Sequence, residues 1–291
     1  FKSLGVQQSH QSKWKKSVFD VYQDASLNHD WTPILKETCD KAGIAFFTSP
    51  YSFDLVDAVD KYVPAYKIGS GDITWLEIIE KMGGKGKPLL LASGASSLDE
   101  VYKAMEVALS KTKEVVLMQC NTNYTASLEN FRYINLNVLK KYREVYPDTI
   151  LGLSDHTIGH ATILGAVALG AKVIEKHFTD DIGRNGPDHG FSMNLDTWTE
   201  MVDRTRELEL SLGSKIKKVE ENEKDTVVLQ RRAIRAKYNL CAGAVINRKD
   251  IEVLRPCPQD ALPPYEIQNI TGKILINDIV SGECISWKDL K

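Results

Sequence analysis

Nothing in this sequence supplies a membrane span, a disulfide frame or a dinucleotide fingerprint. No apolar run approaches the roughly 20 residues needed to cross a bilayer. The five cysteines, Cys39, Cys120, Cys241, Cys257 and Cys284, are odd in number and scattered. None forms a C-x-x-C pair, which argues against a zinc knuckle and predicts reduced thiols in a cytoplasm. No G-x-G-x-x-G is present, so the glycine-rich nucleotide turn of open α/β sheets is missing. Charge of one sign is missing too. The formal net charge is -2, which argues against wrapping nucleic acid or lying on anionic lipid. Any positive charge in a site has to be local. What remains is an ordinary globular composition, 43% hydrophobic and 26% charged over 291 residues, enough for one large core and a smaller module.

Between residues 44 and 178 short apolar runs end in small or polar residues, each followed by a helical pattern. The runs are Ile44–Ser49, Ala65–Gly71, Pro88–Gly94, Val115–Cys120, Ile150–His156 and Val173–Phe178. Near-continuous apolar runs of this length suit parallel strands covered on both faces. Amphipathic stretches such as Asp54–Val59 and Leu98–Met105, the second opened by Ser97, read as the intervening helices. The alternation means α/β. Polar residues close several different runs, which favours a closed (β/α)8 barrel over an open doubly wound sheet with one switch point. Residues 1–212 are therefore read as a barrel domain.

The rhythm stops near residue 195. Leu195–Leu212 reads as one long helix and residues 213–225 as a charged linker. The tail then repeats itself: Asn239–Ile251 matches Asp278–Leu290, each with a turn glycine and a closing Lys-Asp-aliphatic. An internal repeat predicts a small pseudo-twofold module over 226–291.

His156 and His177 lead the functional case. Both end predicted strands, the strands are consecutive, and alternation puts Ser154 with His156 and Glu175 with His177 on one face. Facing the barrel axis, the imidazoles would share a divalent metal, with open positions suited to a Lewis acid. A pair of satisfied core histidines is the bland alternative. Manganese, zinc, iron and cobalt are not distinguished by such a pair.

Lys67 is the second signal, because a lysine inside an apolar strand is costly unless paired. The turn Ile68-Gly69-Ser70-Gly71 after it suits a phosphate or carboxylate. A Schiff-base lysine and a lysine snorkelling past the barrel end are the other readings. Thr48, Ser93 and Ser154 add hydroxyls around the same rim, and Lys176 should point outward by parity. Asp188, in Asn185–Gly190, reads by composition as a turn. His10, His29 and His160 read as surface residues; Trp14, Trp31, Trp75, Trp198 and Trp287 read as packing or rim residues.

Five ordered motifs resemble the sialic acid synthase family, which makes N-acetylneuraminate, legionaminate and pseudaminate and includes spore-coat polysaccharide proteins. They are Phe47-Thr48-Ser49-Pro50, Tyr66–Asp72, Gly152–Thr157, Glu175–Thr179 and Gly186-Pro187-Asp188. The tail, with Val253-Leu254-Arg255-Pro256, is similar to the antifreeze-like (SAF) domain that ends those enzymes. The resemblance implies condensation of phosphoenolpyruvate with an N-acetylmannosamine-type aldehyde to a nine-carbon 2-keto acid. It implies His156 and His177 as ligands of a divalent metal, manganese foremost with magnesium or cobalt as substitutes. Glu175 falls beside the metal; Thr48, Lys67, Ser70 and Ser154 fall around phosphoenolpyruvate; Tyr124 and Asp188 fall near the sugar. Arg255 matches an arginine that a partner subunit inserts into the barrel of a homodimer. Two positions depart: Thr122 stands where the family often has Asn or Ser, and Cys257 where glycine commonly follows the arginine motif.

Within enzymes the rivals are octulosonate or heptulosonate phosphate synthases, which need a second phosphate site, and a Schiff-base aldolase. A non-catalytic ice- or carbohydrate-binding protein is the rival outside them, but residues 226–291 lack rows of regularly spaced Thr or Ala. An eight-stranded barrel against six countable runs, with helical pattern over Ser17–Lys41, predicts that about 50 to 70 residues precede Phe1. The 291 residues alone would then be inactive.

Overall fold

The computed structural model describes Gln11, residues 15–184, Gly186 and residues 188–291. His10, Trp14, Asn185 and Pro187 lie outside the described residues. The chain divides into two compact units, Phe1–Gly213 and Ser214–Lys291.

In the first unit, helices α1 (Val18–Ala25), α2 (Thr32–Ala42) and α3 (Phe53–Val59) precede the named strands. Pro33 opens α2 and Gly43, at φ 71°, ends it, as the helix-terminus rules require. Five parallel strands then alternate with helices: β1 (Tyr66–Ile68), α4 (Leu76–Gly83), β2 (Leu89–Ala92), α5 (Leu98–Lys111), β3 (Val115–Cys120), α6 (Val138–Val145), β4 (Ile150–Asp155), α7 (Ala161–Ala168), β5 (Val173–Lys176) and α8 (Leu195–Leu212). Sheet order is β1-β2-β3-β4-β5, all parallel. Neighbours in space are neighbours in sequence and no order reversal occurs, which is how a barrel wall is wound and not how a doubly wound sheet is. The fold is that of a TIM-type barrel, with the described residues supplying a five-stranded arc of it.

Alternation sorts each strand into two faces. Leu89, Leu91, Leu117, Leu151 and Leu153 pack outward with Val101, Met105, Leu139 and Ile163 of the helices. Leu90, Val116 and Met118 form a small apolar layer on the inner face. Above that layer the inner face turns polar. The sequence predicts a sixth strand over 44–49, but only a one-residue parallel bridge forms there, Thr48 to Tyr66. Ile44 is 61% exposed, so the run lacks the burial of its siblings, and Pro50 brings no N–H to extend a ladder.

The second unit contains the short helices α9 (Lys224–Gln230) and α10 (Ile267–Ile270) and the antiparallel pair β6 (Ala233–Ala236) and β7 (Ile251–Leu254). The stretch expected as a linker is irregular over residues 213–220 and then turns helical, where Glu220 and Glu223 cap a 3-10 turn that runs into α9. The internal repeat is physical. Gly243 and Gly282 have φ 84° and 85°, a conformation glycine reaches without Cβ strain. Leu240 and Ile279 exchange both backbone hydrogen bonds, at 2.8 and 2.9 Å. Asn247/Asp250 and Ser286/Asp289 form matching capping boxes. Eleven buried apolar residues, among them Ile234, Ile251, Ile270 and Ile285, give this unit its own core.

Candidate active site

The polar end of the inner face lines a cleft of about 370 Å³. Lys67 enters it from the middle of β1, buried between Tyr66 and Ile68. Its Nζ donates to the Ile68 carbonyl at 2.9 Å and lies 3.5 Å from Glu175 Oε2 across the arc. The Ser154 hydroxyl donates to Glu175 Oε1 at 2.9 Å, joining the register partners of β4 and β5. Beyond β1 the chain turns through Gly69 and Ser70. The Gly94 N–H donates to Ser70 Oγ at 3.0 Å and fixes that hydroxyl in the lining. A Cβ on Gly94 would meet Thr122 Cγ2 at 2.5 Å and Ser70 Oγ at 2.7 Å. Only glycine lets the two loops approach this closely.

His156 and His177 follow the ends of β4 and β5, their ring centroids 5.1 Å apart. His156 Nδ1 is 2.9 Å from the Asn121 carbonyl. A carbonyl only accepts, so Nδ1 carries the proton and Nε2 keeps a free lone pair. Burial is the main cause holding both histidines below the ordinary imidazole value, partly opposed by the Asn121 carbonyl at His156 and by Asp188 at His177. Neutral imidazoles are the form that ligates metal. Asp188 Oδ2 lies 3.7 Å from His177 Nδ1. The residues therefore fit a divalent ion held by two imidazoles. Among the described residues no group of three or more His, Cys, Asp or Glu is placed to hold a metal.

Aromatic rings enclose the pair. Tyr124 sits 4.3 Å from the His156 ring and Phe191 4.9 Å from that of His177. Burial pushes the Tyr124 phenol up, so it stays protonated at neutral pH. Cys120, beneath His156, is likewise pushed up by burial, which keeps it an unreactive thiol.

Seven of the expected residues line one cleft: Lys67, Ser70, Ser154, His156, Glu175, His177 and Asp188, with Tyr124 as the eighth. The others fall elsewhere. Thr48 lines the adjoining hollow, while Ser49 and Tyr51 face the cleft. Ser93 is one residue out of phase with the inner face; it donates to the Met118 carbonyl at 2.9 Å and accepts from Tyr142 at 2.8 Å. Thr122 packs over Gly94 and is absent from the lining. Arg255 belongs to the second unit, where its Nε donates to the Gln230 carbonyl at 2.6 Å. Tyr51, Phe191 and Gly94 were not legible as site residues, because each depends on loop placement.

Residues 3–217 match the NeuB family and residues 231–291 match the SAF domain. The chain belongs to the NeuB family. It is 34% identical to an uncharacterised protein of Methanocaldococcus jannaschii over 95% of this chain and 81% of that one. It is 30% identical to N,N'-diacetyllegionaminic acid synthase of Legionella pneumophila, over 98% of this chain and 80% of that one. Among solved structures it resembles the spore coat polysaccharide biosynthesis protein spsE of Bacillus subtilis. That likeness has a TM-score of 0.60 and 27% identity, over 97% of this chain and 83% of that one.

Proposed function

We propose that this NeuB-family member condenses phosphoenolpyruvate with the open-chain aldehyde of an N-acetylmannosamine-type amino sugar, releasing phosphate and a nine-carbon 2-keto acid. The observation that carries the reading is one cleft containing a buried lysine, a serine turn and two neutral histidines with free ligating capacity. Lys67 and Ser70 are assigned the phosphate and carboxylate, where a local cation offsets a ligand that is nearly trianionic. His156 and His177 are assigned a divalent ion, manganese foremost, which when bound would supply a Lewis acid for the aldehyde oxygen. Tyr124 and Asp188, which flank the histidines, are assigned to the sugar. Glu175, held by Ser154 and Lys67, is assigned the proton of the water that adds at carbon 2. Carbon 3 of phosphoenolpyruvate forms the new bond to the aldehyde carbon. The water oxygen becomes the oxygen of the 2-keto group, and the bond from carbon 2 to the phosphate oxygen breaks.

A synthase of octulosonate or heptulosonate phosphates would need a second cationic site for a phosphorylated aldehyde. Among the described residues that line the cleft, Lys67 is the single lysine or arginine. Phosphate release should therefore occur with N-acetylmannosamine or a diacetamido-dideoxyhexose and not with phosphorylated aldoses; the reverse preference would overturn the reading. We further assign Arg255 to the cleft of a partner subunit in a homodimer. Mixed dimers of Arg255→Ala and His177→Ala proteins should regain part of the activity, and mixed dimers without recovery would remove Arg255 from the site. The enzyme is assigned to the cytoplasm, on its scattered free thiols.

A further inference from the structure

We infer that Asp155 and Lys176 are positioning residues, a clamp on the outer face of β4 and β5 that sets the spacing of His156 and His177. The inference rests on reading those histidines as metal ligands. Lys176 Nζ lies 2.6 Å from Asp155 Oδ2, with both side chains only 1% exposed. The two residues are register partners, one position before the histidines on their strands. The clamp also reaches past His156. Asp155 Oδ1 accepts the Thr157 N–H at 3.2 Å and the Thr157 hydroxyl at 3.0 Å, and Lys176 Nζ donates to the Thr157 carbonyl. Thr162, at the start of α7, donates its hydroxyl to Asp155 Oδ2 at 3.0 Å. Both neighbours of His156 are thus held from the side of the strand that the histidine does not face.

A buried ion pair is a poor device for stability alone, since well-packed apolar residues of the same volume generally do as well or better. It is a good device for register. A one-residue slip of β5 against β4 would turn His177 from the inner face and break both Lys176 contacts, to Asp155 and to the Thr157 carbonyl. On the inner face the Ser154–Glu175 bond is the matching contact at this level. Glu175 is part of the proposed chemistry, which leaves the outer pair as the contact free to act purely as a brace.

The test uses the double variant Asp155→Leu/Lys176→Met in the full-length protein, which removes both charges together and so leaves no buried charge unpaired. Manganese affinity is read by electron paramagnetic resonance titration, alongside the parent and His177→Ala. In metal-free protein, the hydrogen-bonded Nδ1–H proton resonance of His156 is followed by NMR. The parent should bind manganese and His177→Ala should not, while the folded double variant should bind on the order of 10–100-fold more weakly, the usual size for lost support behind a ligand. Its Nδ1–H resonance should exchange away. Parent-like affinity and an unchanged resonance in the folded variant would overturn the clamp. A parent that binds no manganese would instead sink the metal reading, and the resonance then decides the clamp by itself. Should the double variant not fold, Asp155→Asn keeps the volume and one acceptor; unchanged affinity and resonance there overturn the clamp equally.

Discussion

In the second unit Asp250 and Asp289 each close a turn within their own segment, accepting backbone N–H groups three residues back, from Asn247 at 2.8 Å and Ser286 at 2.9 Å. In the first unit Lys67 meets Glu175 across the arc and His156 meets the Asn121 carbonyl of another strand's loop, and these groups open onto a cleft with His177. The same residue classes do architectural work in these turns, as in the covered Asp155–Lys176 pair, and are held ready for a ligand in the cleft. A polar group satisfied within one turn of its own chain reads as structure. A group held across strands, at the polar end of an apolar layer, reads as chemistry.

If that distinction holds, the two kinds of substitution should separate activity from stability. The largest effect is expected at the histidines. His156→Ala and His177→Ala should each take turnover below detection, and a chelator should do the same to the parent until manganese is restored. The melting temperature should move by no more than about 4 °C, the size that roughly 1 kcal/mol produces in a chain of this length. Full activity in metal-free protein, by direct metal analysis, would collapse the distinction at its strongest point. Lys67→Met comes next. Losing a charge-assisted contact costs about 1.5–3 kcal/mol, so kcat/KM for phosphoenolpyruvate should fall roughly 10- to 150-fold. A borohydride-trapped adduct on Lys67 would show that it acts as a Schiff base instead.

Gly94→Ala tests the boundary between the two classes, since Gly94 touches both a site hydroxyl and the packing of Thr122. Its new methyl has to displace Ser70 Oγ or Thr122 Cγ2. Overpacking of this kind costs about 1–3 kcal/mol of stability, and the displaced hydroxyl should cost about fivefold in kcat/KM. Steady-state kinetics and thermal melts on the same preparation separate the two; a change in stability alone would move Ser70 out of the site.

The barrel class and the inner-face residues were legible because strand alternation is rigid: once Lys67 and His156 face inward, Ser154, Glu175 and His177 follow by register. Ser93 was misplaced although the same parity, taken from Leu89 and Leu91, puts it outward. Thr48 lines the adjoining hollow, because its run forms a single bridge and not a strand, so alternation does not govern it. Lys176 does point away from the site, as parity requires. That it meets Asp155 and not solvent depends on α7 covering that face, which periodicity in β5 does not encode. Tyr51 and Phe191 sit in loops, where no period exists.

The smallest expected effects lie in the repeat, where the two copies provide an internal control. Asp250 is 5% exposed, whereas Asp289 is half-buried. Asp250 accepts from the Tyr238 hydroxyl as well as from Asn247, and that phenol, the largest cause, holds its carboxyl below the usual carboxylate range. Asp250→Ala should therefore destabilise this unit by about 2 kcal/mol and Asp289→Ala by about 1 kcal/mol, with kcat unchanged in both. A depressed carboxylate contributes stability that is present above its unfolded value near 4 and lost as pH falls through its lower folded value. The gap between the two variants should therefore be full at pH 6 and shrink below about pH 4. Hydrogen exchange of the Ile234 and Ile285 amides, which bond to Leu262 and Ile234 in this core, reads the unit without interference from the first. A gap that persists undiminished to pH 3 would mean that Asp250 acts through packing and not through its charge. A loss of kcat in either variant would mean that the caps of the repeat also serve the site.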